Sequence, residues 1–316
     1  MQTLAQQRVL IVGGSRGLGL GVMQALMARH ANVTVIARDS AGLAALEAQC
    51  GVSIIPGDAT DPKLAESVLR ELRPTVVILN AGATPAMAPI HQQSWESFSR
   101  NWQTDVKATF HWIQGALRLP LDRGARVLLS ASGAAMDGSP LSGGYAGAKR
   151  MIWLMAGYAN GVARDLDLGI RFQALRLRQI VGTTELGRAA AEAYARRKGV
   201  SIEAFLAGFG SPLSPRAYGE HVTTVLTDPQ YESAPALVIR GDTGIQPLDA
   251  SCRMVCRMRV VVKMKGDVTR NNRPVRSLQG RSGWRTADYR IFNDPGCAGS
   301  PYGRRRKVRR PVPGIS

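Results

Sequence analysis

The sequence predicts an α/β protein in which a doubly wound parallel sheet of about seven strands carries helices on both faces. Short apolar, β-branched runs recur along the first 240 residues, and most of the intervening stretches have helical periodicity. Strands that alternate with helices in this way are typical of parallel sheets. The runs lie near residues 8–12, 33–37, 52–55, 75–79, 125–130, 170–175 and 236–239.

The first run, RVLIV, leads directly into the glycine-rich segment GGSRGLG, and residues 18–29 then show helical periodicity. This order predicts a strand, a tight turn and the start of a helix. Glycines let backbone amides and a helix N-terminus approach a pyrophosphate, although a plain turn is the alternative. The residues expected to bind a dinucleotide here are Gly13, Ser15, Arg16, Gly17, Leu18 and Gly19.

The second run bears on the choice of cofactor. Proteins that bind NAD usually place an acidic residue at the carboxyl end of this strand, where it accepts hydrogen bonds from the ribose 2′-hydroxyl. Here Ala37 has that position and Arg38 follows. Arg38 and Arg16 would pair well with a 2′-phosphate, which predicts NADP(H). NAD(H) is the alternative because Asp39 comes next, and both arginines are also compatible with plain surface charge.

Three later segments carry chemistry. The third strand is followed by GDATD, the fourth by NAG at residues 80–82, and the fifth by Ser132. Tyr145 and Lys149, in YAGAK, are four residues apart and therefore share one face of a helix. A neighbouring ammonium stabilises a phenolate, which would allow Tyr145 to act as a general acid or base. Taken alone, such a pair also occurs by chance.

With the glycine turn, NAG, Ser132 and YAGAK in this order, residues 8 to about 249 resemble the short-chain dehydrogenase/reductase family, in its smaller branch. The resemblance implies a Rossmann-like fold in which Tyr145 is the catalytic acid/base. It further implies that Lys149 assists Tyr145 and holds the nicotinamide ribose, and that Ser132 orients the substrate oxygen. The cofactor contacts implied at the carboxyl ends of the other strands are Asp58 and Ala59 near the adenine, and Asn80, Ala81 and Gly82 beside the central sheet.

The chain departs from the family pattern at three places. Val12 replaces a Thr before the glycines, which should have a modest effect. Asp105 stands where the family has a fourth catalytic residue, an Asn, and would place a negative charge near Lys149. Asn101, four residues earlier, is in the wrong register to replace that Asn. The segment RLRQIVGTTELG at 176–187 replaces a Pro-Gly pair that contacts the nicotinamide, and Gly182, Thr183 and Thr184 are candidates for that contact.

Residues 183–215 interrupt the alternation of strands and helices and predict a helical cap over the substrate. The bulky apolar residues of this cap suit a hydrophobic pocket, but they suit a packed cap without substrate contact equally well. In the family, the helices that carry Tyr145 and the residue at position 105 form a dimer interface. The resemblance therefore implies a homodimer or homotetramer.

Composition separates the chain into two parts. We expect residues 1–250 to form the catalytic domain and residues 251–316 to form a disordered tail, which carries 17 Lys and Arg against 3 Asp out of a total net charge of +18. The preferred interpretation is a tail without function. A tether to nucleic acid or to an anionic membrane, or a metal-binding role, is less favoured.

Three of the four Cys lie in this tail, so no disulfide framework or metal site is predicted. No early apolar run suits a signal peptide or a membrane span, which predicts a cytoplasmic protein.

The sequence leaves two functions open. The favoured one is an NADP(H)-dependent oxidoreductase that transfers a hydride between nicotinamide and a small carbonyl or alcohol substrate. The alternative is a nucleotide-binding sensor or scaffold protein without turnover, which the changes at Asp105 and in residues 176–184 leave open.

Overall fold

The computed structural model describes residues 3–248, and the predicted tail at 251–316 lies outside them. Within that range one sheet contains eight strands in the order β3-β2-β1-β4-β5-β6-β7-β8. The first seven are parallel, and β8 pairs antiparallel with β7. The strands are β1 (Arg8–Val12), β2 (Asn32–Ala37), β3 (Ser53–Pro56), β4 (Val76–Leu79), β5 (Arg126–Ser132), β6 (Arg171–Leu177), β7 (Ala236–Arg240) and β8 (Gly244–Pro247).

Helices connect the parallel strands and cover both faces of the sheet. One face packs against α1, α2 and α10, and the other packs against α3, α5 and α7. The α-helices of the described part are α1 (Gly17–Met27), α2 (Ser40–Cys50), α3 (Pro62–Leu72), α4 (Trp95–Asn101), α5 (Lys107–Arg118), α6 (Ala134–Asp137), α7 (Gly143–Asp165), α8 (Glu185–Lys198), α9 (Ile202–Ala207) and α10 (Pro215–Thr227). A π-helical turn, Trp102–Val106, joins α4 to α5.

The strand order fixes where a ligand can bind. The chain builds outward from β1 through β2 to β3 and then crosses back to β4 on the other side of β1. A crevice opens at such a reversal, outside the carboxyl ends of the strands, and it is the usual ligand site of open α/β sheets. The glycine turn follows β1 and the NAG segment follows β4, so both lie at this crevice.

The predicted fold class is confirmed, with two differences in detail. The fifth strand continues to Ser132, which is therefore its last residue and not part of the following loop. The sequence also missed β8, a four-residue edge strand, GIQP, in which no residue is buried. Such a strand lacks the apolar run on which sequence prediction depends. Across residues 3–248, no helix has the combined length and apolarity that a membrane span requires.

Candidate active site

Tyr145 and Lys149 lie one turn apart on α7, as their spacing predicted. The Nζ atom of Lys149 is 5.7 Å from the centroid of the Tyr145 ring. Tyr145 is half-buried, whereas only 8% of the Lys149 side chain is exposed. The phenol therefore borders the surface while the ammonium lies behind it in the protein.

Two neighbouring elements hold the ammonium of Lys149. Its Nζ donates a hydrogen bond of 3.1 Å to the carbonyl oxygen of Ser130 in β5 and lies 3.1 Å from Oδ2 of Asp105 in the π-helical turn. Burial by itself lowers the pKa of Lys149, but the charge of Asp105, together with Tyr145, outweighs it, and the pKa is raised. Lys149 is therefore a cation at neutral pH.

Asp105 is buried at the centre of a hydrogen-bond network. Its Oδ1 accepts from the backbone N–H of Ala83 at 2.9 Å, from the hydroxyl of Thr104 at 2.8 Å and from the amide of Asn101 at 3.3 Å. Asn101 also donates to the carbonyl oxygen of Ala83 at 2.7 Å. A Cβ atom built on Gly82 would lie 2.8 Å from Oδ2 of Asp105, so the NAG segment approaches this carboxylate closely. A π-helical turn of this kind often occurs at functional sites.

Ser132 ends β5 beside the first turn of α6. It is half-buried, and its Oγ accepts a hydrogen bond of 3.2 Å from the backbone N–H of Ala134. Because its hydroxyl hydrogen is not used in that bond, Ser132 retains a donor for another oxygen. Strand pairing places Ser132 opposite Leu177 of β6, so the exit from β6 also borders the site.

The glycine turn is packed against β4 and β5. Gly13 has a φ of +88°, and a Cβ atom there would lie 2.5 Å from the backbone nitrogen of Ala81. Asn80 connects the glycine turn to β5. Its Nδ2 donates to the carbonyl oxygen of Gly13, and its Oδ1 accepts from the hydroxyl of Ser130, both at 3.0 Å. A Cβ atom on Gly19 would lie 2.1 Å from the oxygen of Gly13, so α1 could not start so close to β1 with any other residue there.

The N-terminus of α1 has the features of an anion site. The helix begins at Gly17, its first turn contains no acidic residue, and Ser15 and Arg16 precede it. Unsatisfied N–H groups and the helix dipole favour negative charge at such an end. Arg16 is exposed and pairs at 2.6 Å with Glu185, whose other oxygen accepts from Thr84 at 3.0 Å. Leu18 points into the core on the α1 face of the sheet.

The residues after β2 and β3 have different surroundings. Arg38 is exposed, whereas the carboxylate of Asp39 caps α2 by accepting from the N–H of Gly42 at 3.1 Å. A hydrogen bond from the backbone of Thr60 lowers the pKa of Asp58, and the charges of Arg38 and Lys107 act in the same direction. The next residue, Ala59, accepts a hydrogen bond from the indole of Trp112 at 3.0 Å, which fixes this loop on α5.

The unusual segment after β6 is held by side chains on both sides. The backbone of Arg178 lies against Gly133, and its guanidinium is 3.7 Å from Asp137 in α6. Gln179 bonds to the backbone of Ser211 and Gly241. Of the candidates for the nicotinamide contact, Thr183 is exposed and Gly182 faces Leu206 of the cap. Thr184 caps α8, and its methyl group lies 3.7 Å from a Cβ atom built on Gly17.

The predicted cap consists of α8 and α9. Its large apolar residues pack mainly on one another and on the loop before α7, because Tyr194 and Phe205 stack at 6.0 Å within a cluster that includes Leu141. The hydroxyl of Tyr194 lies 2.6 Å from Ser139 Oγ and accepts from the N–H of Leu141. These contacts explain most of the bulky residues as packing within the cap.

Two residues of the site were not selected from sequence. Ser130 lies two positions before Ser132 on the same face of β5 and contacts Asn80, Lys149 and the phenol of Tyr218. Burial raises the pKa of Tyr218 to about 12, so this second phenol stays neutral. Asn101 was set aside because of its register, yet it is buried against Asp105. Among residues 3–248 no cluster of His, Cys, Asp and Glu is suited to a metal ion.

Comparison with known proteins identifies one family. The model of the short chain dehydrogenase family matches residues 7–195. The chain is 30% identical to L-xylulose reductase of Homo sapiens over 122 residues, which are 38% of this chain and 50% of that protein. It is 25% identical to NADPH-dependent pterin aldehyde reductase of Arabidopsis thaliana over 182 residues, which are 54% and 74% of the two chains. The match spans about half the length of the L-xylulose reductases.

A solved structure supports the fold. A short-chain dehydrogenase/reductase from Brucella melitensis, described as a glucose/ribitol dehydrogenase, superimposes with a TM-score of 0.63 at 18% sequence identity. The superposition covers 75% of this chain and 96% of that one. At this identity the likeness concerns the Rossmann-like fold alone.

Proposed function

The chain belongs to the short-chain dehydrogenase/reductase family, and on this premise we propose that it is an NADP(H)-dependent oxidoreductase acting on a carbonyl or alcohol. One observation carries the proposal: a buried, charged Lys149 is fixed 5.7 Å from the ring of the half-buried Tyr145. A buried cation is costly unless it has a partner. An arrangement that keeps one beside a phenol is well suited to general acid/base chemistry.

Each residue of the site then has a defined task. Tyr145 gives its proton to a carbonyl oxygen, or takes the proton of an alcohol. Ser132 donates a hydrogen bond to the same oxygen and orients it, and Lys149 stabilises the phenolate that remains. A nicotinamide held at the crevice would supply the hydride for the carbonyl carbon, and the electron pair of the C=O π bond would pass to the oxygen, which receives the Tyr145 proton. Water then reprotonates Tyr145.

The residues around the crevice fit a dinucleotide. The close packing at Gly13 and Gly19 brings the N-terminus of α1 to the crevice, where its N–H groups suit a pyrophosphate. Arg16 and Arg38 would hold a 2′-phosphate, and Asp39 is already engaged as the cap of α2. The name of the Arabidopsis relative includes NADPH, which agrees with NADP(H) over NAD(H). The further proposed contacts are Ser15, Gly17, Leu18, Asp58, Ala59, Asn80, Ala81, Gly82, Tyr145, Lys149 and Thr183.

We assign the substrate only to a chemical class. The relatives named above are reductases of a sugar ketone and of a pterin aldehyde, so a small polar carbonyl compound is the first class to test. We place the catalytic unit at residues 1–250, with residues 183–215 as its cap.

We also propose a homodimer or homotetramer. Large apolar side chains are exposed on the helices that form the dimer interface in the family. The most exposed are Trp95 of α4 at 72%, Tyr158 of α7 at 63% and Leu166, which directly follows α7, at 61%. Sedimentation of the purified chain measures the oligomeric state, and a monomer would contradict this part of the proposal.

The function is tested with a panel of ketones, aldehydes and alcohols, using NADPH or NADP and following absorbance at 340 nm. The Tyr145→Phe variant should lose about 10²- to 10⁴-fold in kcat while it binds NADPH as the wild type does. A chain that binds NADPH but turns over no member of the panel would favour the alternative of a sensor or scaffold. An unchanged kcat in Tyr145→Phe would exclude Tyr145 as the acid.

A further inference from the structure

A buried carboxylate stands directly behind the proposed catalytic lysine. Asp105 has 1% of its side chain exposed and pairs with Lys149 at 3.1 Å, at the position where the family has an uncharged Asn. We propose that Asp105 is a positioning residue that holds Lys149 in an electrically neutral pair and thereby sets Tyr145 to donate protons to carbonyls at neutral pH. This inference rests on the proposed function and adds the pH dependence of each direction of reaction.

The geometry determines how Lys149 is oriented. An ammonium has three N–H donors. One is directed to the carbonyl oxygen of Ser130, and the nitrogen also forms an ion pair with Oδ2 of Asp105 at 3.1 Å. The centroid of the Tyr145 ring lies 5.7 Å from the same nitrogen. Asp105 is itself fixed, because its other oxygen accepts from Ala83, Thr104 and Asn101. The ammonium therefore has little freedom to turn.

The charges around Lys149 give the direction of the effect. A lone ammonium near a phenol favours the phenolate, and a carboxylate next to that ammonium offsets much of its field. The contact of Lys149 with β5 is an uncharged carbonyl, and the amide of Asn101 in α4, which donates to Asp105, is also uncharged. Among the described residues the titratable groups that act on Lys149 are Asp105 and Tyr145. The net field on Tyr145 is thus that of a pair and not that of a single cation.

The two reaction directions need different forms of Tyr145. Reduction of a carbonyl needs the phenol, whose proton moves to the substrate oxygen. Oxidation of an alcohol needs the phenolate, which takes the proton of the hydroxyl. Because the carboxylate offsets the charge of Lys149, we expect reduction to proceed at neutral pH and the rate of oxidation to reach its maximum only in more alkaline solution.

Burial alone would lower the pKa of Lys149, but Asp105 raises it, which agrees with an ion pair between the two side chains. When Asp105 becomes uncharged, Lys149 keeps its bond to Ser130 and its proximity to Tyr145. Its positive charge then acts on Tyr145 without compensation. The phenolate should therefore form at lower pH.

The test compares the wild type with Asp105→Asn and Asp105→Ser. Rates of oxidation and of reduction are measured from pH 5 to 10, and phenolate absorbance near 295 nm is titrated in the cofactor-free protein, with Tyr145→Phe as the baseline for the other tyrosines. Asp122→Asn is the matched control. Asp122 pairs with Arg8 and Arg73 at the amino ends of the strands, away from the site, and its substitution removes the same charge.

We expect the oxidation profile and the phenolate titration of both Asp105 variants to move at least about one pH unit towards acid. The Asp122→Asn curves should coincide with the wild type. Unmoved curves, or a move towards alkaline pH, would overturn the inference, since the latter means that Asp105 mainly keeps Lys149 charged. Thermal melting checks folding, and Asp105→Ser serves if Asp105→Asn does not fold. A wild type without any turnover would instead refute the proposed function, whereas the phenolate titration remains measurable.

Discussion

The guanidinium of Arg16 and the carboxylate of Glu185 meet at 2.6 Å between the glycine turn and the first residue of α8. The other oxygen of Glu185 accepts from Thr84, so three loops at the carboxyl edge of the sheet are joined at one carboxylate. Thr184 borders the glycine turn, since a Cβ atom built on Gly17 would lie 3.7 Å from its methyl group. The cation proposed for a 2′-phosphate is therefore engaged by an acidic residue of the cap.

Glu185→Gln should increase the affinity for NADPH by up to about fivefold, because Arg16 no longer leaves a carboxylate to reach the phosphate. The gain is small because exposed ion pairs contribute about 0–1 kcal/mol. Fluorescence titration at low and at high salt measures it, and the gain should shrink at high salt. Glu192→Gln is the matched control on the same helix, since Glu192 pairs only loosely with Arg188 at 3.9 Å. Weaker binding in Glu185→Gln would mean that Glu185 helps to retain the cofactor.

Arg38→Leu should weaken NADPH binding by about 10- to 100-fold, as expected for the loss of a hydrogen bond between charged groups. NADH binding should change little, because its ribose has no 2′-phosphate. The dissociation constants for both cofactors give the ratio directly. Arg70→Leu removes the same charge near the end of α3 and should leave the ratio unchanged. A wild-type ratio near unity would show that the arginines do not select NADP(H).

The sequence predicted the strands and the main motifs because both depend on local patterns. An apolar run followed by Ser132, or a Tyr and a Lys four residues apart, keeps its meaning wherever the rest of the chain lies. The seven predicted strands agreed with the structure to within two residues at each end, and the largest differences were at the ends of β5 and β6. The carboxyl-edge location of the site followed from the alternation of strands and helices.

Contacts between distant residues were beyond such reasoning. Arg16 and Glu185 are 169 residues apart in sequence, and no local pattern relates them. The sequence suggested a charge near Lys149, but the π-helical turn that buries Asp105 against it follows from packing between α4, α5 and α7. By spacing alone Asn101 is in the wrong register to replace the family Asn, and spacing does not reveal that its amide contacts Asp105.

Arg126→Met should lower the free energy of unfolding by about 2–5 kcal/mol. Arg126 is buried and donates to Gln173 and to the carbonyl oxygens of Val225 and Leu226 at the end of α10. Its loss leaves these buried acceptors without a donor, at about 1–3 kcal/mol each before relaxation. Urea denaturation measures the change. Arg123→Met breaks an exposed pair with Asp167 and should cost less than about 1 kcal/mol. Equal costs in the two variants would contradict a special role for Arg126.

Lys149→Met should destabilise the protein by about 3–5 kcal/mol, because it leaves the carboxylate of Asp105 buried without its cation. Adding Asp105→Asn should restore part of that loss, since the uncompensated charge is then removed.

The pKa of Lys149 determines how this stability depends on pH. Burial alone would lower that pKa, but Asp105 and Tyr145 raise it above 10.5. The contribution of the pair is therefore complete below about pH 10.5 and disappears as the pH rises through the higher folded value. Urea denaturation at pH 7 and pH 9 should give the same difference between wild type and Lys149→Met. Both variants lose the proposed catalytic lysine, so stability is the readout. A double variant no more stable than Lys149→Met would mean that packing around the lysine stem, and not its charge, accounts for the loss.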